Sequence, residues 1–165
     1  MKILFLGTGD FSRPSLESLL ESAHEVIGVV TQPDRPKGRG QKLSPSPVKS
    51  LAIAKAVPVF QPERMRDHSS FELLKSLHPD LMVVVAYGQI LSPAVLAIPP
   101  HGCVNVHASL LPKFRGAAPI ARAILEGKTR TGVTTMLMDA GMDTGPVLLT
   151  AQIDVEESDT LGTLH

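Results

Sequence analysis

Cysteine is nearly missing from this chain: Cys103 is the one thiol in 165 residues. No intrachain disulfide can form, and no Cys-x-x-Cys pair is present to hold zinc. That usage fits a reducing, cytoplasmic compartment. A surplus of charge is missing as well, because Lys and Arg number 16 against 16 Asp and Glu. Bulk attraction to nucleic acid or to a membrane surface is therefore excluded, and any nucleic-acid contact has to come from a local patch. The opening apolar run, Ile3 to Leu6, is too short for a signal-peptide core or a membrane span. No internal repeat is visible.

Enough apolar material for a core is present. The chain is 43% hydrophobic and 19% charged, and its length fits one domain. KILFLG predicts a buried strand ending in glycine. SRPSLESLLESAH predicts a helix, with Ser12 as N-cap and Leu16, Leu19, Leu20 and Ala23 on one face. EVIGVVT predicts a strand, and residues 32–47 show neither helical nor strand period. A helix opens near Val48, with Pro47 in its favoured first position. VPVF predicts a brief strand, SSFELLKSLH a helix stopped by Pro79, and the valine-rich DLMVVVAYG a strand buried on both faces. SPAVLAI predicts a short helix capped by Ser92, CVNVH a strand, and APIARAILEG a helix ending at Gly127. TGVTTMLMD and PVLLTAQIDV predict an antiparallel pair across AGMDTG. This alternation predicts an α/β fold: a doubly wound, mostly parallel, Rossmann-like sheet with an antiparallel hairpin near the C-terminal end. The final SDTLGTLH starts with an N-cap signal and has no room to complete a helix, so a truncated domain is expected.

Three stretches carry chemistry. GTGDFS follows the first strand, but Ser12 occupies the place of the third glycine in G-x-G-x-x-G. No acidic residue closes the second strand, where Thr31 and Gln32 stand. A dinucleotide oxidoreductase is thus disfavoured, although the turn's amides could hold a polar or anionic group. Residues 34–49 carry Arg35, Lys37, Arg39, Lys42 and Lys49 against Asp34 alone. A loop this long needs a reason: either it is a solvated surface, or it is a basic finger for phosphates. Asn105 and His107 lie two apart in a strand, hence on one face. Strand C-terminal ends are where open α/β sheets bind ligands. Asn105 offers an amide donor and His107 a proton. Asp139 and Asp143, in a glycine-bearing loop, could supply a carboxylate to orient the imidazole.

NVHASLLPKFRGAAPI together with MDAGMDTGP resembles the signature of the formyltransferases that use 10-formyltetrahydrofolate. TQPDRPKGRG and SPSPVK point to the branch of that family acting on methionyl-tRNA. Gly9 stands where the family commonly has proline. The resemblance implies a catalytic domain over residues 1–165, without the family's C-terminal β-barrel. It implies formyl transfer from the folate cosubstrate to the α-amino group of methionine on initiator tRNA, in a cytoplasmic monomer without metal or membrane contact. Asn105 and protonated His107 would hold the oxyanion of the intermediate, and Asp143 would orient His107 and help move the amine proton. The pterin would lie against Ile90 and Leu91 and the loop Asp139, Ala140, Gly141, Met142 and Asp143. Ser109, Leu110, Leu111 and Pro112 would shape the wall behind His107. Arg35, Lys37, Arg39, Lys42 and Arg115 would meet tRNA. Two other readings stay open: a formyltransferase acting on a small amine, and a non-catalytic folate- or RNA-binding fragment.

Overall fold

The computed structural model describes residues 1–37 and 42–165, in two compact units, Met1–Cys103 and Val104–His165. In chain order the first unit holds β1 (Lys2–Gly7), a single 3-10 turn, α1 (Arg13–Leu20), β2 (Glu25–Val30), β3 (Arg35–Lys37), β4 (Lys42–Ser44), α2 (Pro47–Ala54), β5 (Val59–Phe60), α3 (His68–Ser76), β6 (Leu81–Val85) and α4 (Pro93–Leu96). Strand β7 (Cys103–His107) straddles the division. The second unit continues through α5 (Pro119–Leu125), β8 (Arg130–Leu137) and β9 (Val147–Asp154).

The main sheet of the first unit has the order β5-β2-β1-β6, and every pairing in it is parallel. Ile3, Leu4, Phe5 and Leu6 are at most 1% exposed, and Met82 to Val85 are at most 8% exposed. Such continuous apolar runs are what a parallel strand covered on both faces requires. The chain steps outward from β1 to β2 to β5, then crosses back past β1 to β6. With right-handed crossovers, α1 and α2 fall on one face and α3 on the other. In agreement, α1 packs on α2, and α3 on α4. The reversal creates a switch point between the ends of β1 and β6, the usual ligand crevice of such sheets.

Two local expectations are corrected. Ser12 precedes α1, yet its side chain makes no cap bond. Its hydroxyl instead donates to the Val85 carbonyl at 2.6 Å and accepts from the Thr8 amide, wholly buried. The tertiary contact between the ends of β1 and β6 overrides the local cap. Residues 32–47 are not irregular throughout, because β3 and β4 pair antiparallel, Arg35 with Ser44 and Pro36 with Leu43. A ribbon of three-residue strands is too short to show a period, and an edge position tolerates Pro36 without an N–H. Ser46 and Ser92 do cap α2 and α4, accepting from the Lys49 and Val95 amides. Gly9 has φ −81° and ψ 176° with open space at its Cβ position, a backbone that proline could adopt.

In the second unit β8 pairs antiparallel with β7 on one side and with β9 on the other. The predicted final hairpin is therefore present. Gly145, in its connection, sits so close to the Leu137 carbonyl that a Cβ there would lie 1.8 Å from the oxygen. Ile120, Ala123, Thr134 and Met136 form the buried interior, and β9 is exposed along its whole length.

Candidate active site

Strand β7 delivers Asn105 and His107 to one face, and the loop after β8 delivers Asp143. The three meet within the second unit. Asn105 Nδ2 donates to Asp143 Oδ1 at 3.2 Å. His107 Nδ1 lies 3.5 Å from Asp143 Oδ2, and Oδ2 also accepts from the Gly116 amide at 2.8 Å. Asp143 itself has φ 52°, a left-handed backbone that short polar side chains tolerate better than most. Its carboxylate is thus fixed by three groups from two other segments.

The other nitrogen of His107 is equally constrained. Nε2 lies 2.9 Å from the Phe114 carbonyl. A carbonyl only accepts, so Nε2 carries the hydrogen, and Nδ1 is left facing Asp143. Phe114 can present its oxygen this way because its own φ is 57°, followed by Gly116 at φ 82° and Ala118 at φ 51°. Arg122 steadies the kink: its guanidinium lies 5.4 Å over the Phe114 ring, and Nη1 donates to the Arg115 carbonyl at 2.9 Å. Sequence reasoning missed Phe114, Gly116 and Arg122, since two of them act through backbone atoms. The positive-φ demand of the glycine in FRG was the one available signal.

Behind His107 the chain is stitched by buried hydroxyls. The Ser109 amide donates to the His107 carbonyl at 2.9 Å, and Ser109 Oγ donates to the Lys113 carbonyl at 2.6 Å. Thr134 Oγ1 donates to the Ser109 carbonyl at 2.7 Å and accepts from the Leu111 amide at 3.1 Å. Leu110 and Leu111 are half-buried, Pro112 is exposed, and a cis peptide joins Leu111 to Pro112. Asp139 does not join the cluster. Its Oδ1 accepts from the Gly141 amide and the Thr144 hydroxyl, which shapes its own loop. Ala140, Gly141 and Met142 are exposed there.

In the first unit Ile90 is 87% exposed and Leu91 buried. At the switch point Thr8 Oγ1 and Gln32 Nε2 both donate to the Tyr87 carbonyl. A cavity of about 440 Å³ opens beside them, lined by Thr8, Gln32, Arg35, Ser46 and Gly88 among others. Arg35 and, in the second unit, Arg115 are exposed. Lys37 and Lys42 are paired in the ribbon, and Arg39 lies outside the described residues. Lys49 is engaged, donating to Asp34 and to Gln61 Oε1. That hydrogen bond from Lys49, then one from Gln61, holds the Asp34 carboxyl below its usual range. Burial pushes the Cys103 thiol up to about 12, so it stays a thiol at neutral pH. Among the described residues no three of His, Cys, Asp and Glu are grouped to hold a metal ion. No helix among them is long and apolar enough to cross a membrane.

A methionyl-tRNA formyltransferase of Xanthomonas axonopodis pv. citri is 60% identical to this chain, and one of Alkaliphilus oremlandii is 53% identical, each over 165 residues. Each alignment covers 100% of this chain and 53% of the relative. The chain therefore spans about half the length of the curated relatives it matches. A solved phosphoribosylglycinamide formyltransferase of Bacillus halodurans superposes with a TM-score of 0.80 at 27% identity, over 99% of this chain and 85% of that one. The sequence pattern of the formyl transferase family matches residues 1–165. From first residue to last, then, the chain belongs to the formyl transferase family.

Proposed function

We propose that this chain carries the site at which a formyl group passes from 10-formyltetrahydrofolate to the α-amino group of methionine on initiator tRNA. The observation that carries the reading is the single carboxylate of Asp143, which ties Asn105 and His107 into one cluster. The high identity to proteins named methionyl-tRNA formyltransferase supports the choice of acceptor.

The amine attacks the formyl carbon as the free base. A C–N bond forms, the carbonyl oxygen becomes an oxyanion, and the bond to N10 then breaks. The Asn105 amide has two N–H donors, and Asp143 takes one of them. The second is available to the oxyanion. Protonated His107 donates from Nε2 to the Phe114 carbonyl, so its Nδ1–H, which faces Asp143 Oδ2 at a loose 3.5 Å, is the one shared with the oxyanion. Each such donor is worth about 3 kcal/mol of transition-state stabilisation. Asp143 holds the ring and helps carry the amine proton, through water, toward N10. No covalent nucleophile is needed. The folate contacts implied by the resemblance fall on Ile90 and Leu91 and on residues 139–143. Ile90 is open to a ligand, whereas Leu91 is 7% exposed and has mainly its backbone to offer.

Formylation assays decide the acceptor. With 10-formyltetrahydrofolate as donor, the enzyme is expected to formylate charged initiator tRNA and to leave a phosphorylated glycinamide untouched. Turnover of the small amine with no turnover of the tRNA would overturn the assignment.

A further inference from the structure

Two strands as short as β3 and β4 do not hold a ribbon in place, yet the base of this one is tied at several points. Before the ribbon, Thr31 Oγ1 and, after it, Ser46 Oγ share a hydrogen bond of 2.8 Å. One step further along, Lys49 of α2 donates to Asp34 Oδ2. Gln61, just beyond β5, braces the same spot: its Oε1 accepts from Lys49 at 2.7 Å. Its Nε2 donates to Asp34 Oδ1 and to the Gln32 carbonyl, both at 2.9 Å. Lys49 and Asp34 retain only 19% and 28% of their side-chain exposure. The lowered Asp34 pKa fits a carboxylate that stays ionised in this network.

We propose that Asp34, Lys49 and Gln61 form a mount that fixes the direction in which the basic ribbon projects, and that Lys49 is a positioning residue rather than a phosphate contact. The proposal rests on the reading of the ribbon as a tRNA-binding element. Composition alone counts Lys49 with the phosphate-neutralising cations of residues 34–49. Geometry removes it from that set, since its ammonium already has a carboxylate and an amide oxygen as partners. Arg35 heads β3 immediately after Asp34, so an error at the mount is carried directly into the first basic side chain.

The two roles for Lys49 make opposite predictions at Asp34. If Lys49 touches phosphate, Asp34→Asn releases it and tRNA binds as well or better. If Lys49 positions the ribbon, Asp34→Asn weakens the tRNA reaction. The experiment measures kcat and KM for charged initiator tRNA, the Kd of a tetrahydrofolate analogue and the melting temperature in the active enzyme. The variants are Asp34→Asn, Gln61→Leu, Lys49→Met, Lys49→Arg and, as a ribbon control, Arg35→Ala. Asp34→Asn, Gln61→Leu and Lys49→Met should each raise KM for tRNA by about tenfold, the worth of one charge-assisted hydrogen bond. The folate analogue should bind unchanged, and Lys49→Arg should restore most of the loss. Tighter tRNA binding in Asp34→Asn would overturn the mount. So would normal kinetics in Gln61→Leu alongside a damaged Arg35→Ala. Normal kinetics in every variant, Arg35→Ala included, would instead remove the tRNA role of the ribbon, and the mount with it.

Discussion

His107 is the residue whose surroundings decide most. Its neighbour across Nε2 is a backbone oxygen, which no side-chain substitution at Phe114 removes directly; what sustains the bond is the left-handed kink through Gly116. Gly116→Ala should therefore strain the kink by about 1 kcal/mol, and the added methyl would also meet Met142 Sδ at 3.0 Å. The expected outcome is a lower melting temperature together with a lower kcat, as His107 and Asp143 lose a shared support. Unchanged kcat at a reduced melting temperature would separate the kink from catalysis. Nitrogen-15 spectra offer a second check: neutral His107 should show its hydrogen on Nε2. A hydrogen on Nδ1 in the neutral ring would contradict the bond to Phe114.

At the scale of elements, the strands and helices that bury a face were legible, because period and burial coincide. KILFLG, DLMVVVAYG and CVNVH became β1, β6 and β7, and Asn105 and His107 share a face because strand geometry demands it. What escaped was set by partners distant in sequence. Ser12 reads as a cap, but Val85, 73 residues away, takes its hydroxyl. Lys49 reads as a free cation until Asp34 and Gln61 fold onto it. The contacts of Phe114 and Gly116 use backbone atoms, which residue identity does not reveal. For the β3–β4 ribbon the prediction is electrostatic. Arg35→Ala should flatten the salt dependence of tRNA binding by about one unit of log–log slope if the guanidinium meets a phosphate. An unchanged slope would return Arg35 to the solvated surface.

For the molecule as a whole, two buried groups of the first unit set the alkaline limit of stability. Burial pushes Cys103 from 9.0, and Tyr87 from 10.0, up to about 12. Their contribution is complete below the unfolded values and is lost as pH rises toward the folded ones, because the unfolded chain releases these protons first. Urea unfolding should show stability falling between pH 9 and pH 12, by up to about 1.4 kcal/mol per pH unit for each group. A flat midpoint across that range would mean the two side chains are not buried as described. The proposed function rests on the carboxylate-linked pair on β7, Asn105 and His107, performing formyl transfer. Single-turnover formylation of charged initiator tRNA by His107→Ala and Asn105→Ala tests it most directly. The rate is expected to fall by about 10²-fold or more in each, with the folate analogue still bound. A rate within a few-fold of the parent enzyme in either variant would contradict it.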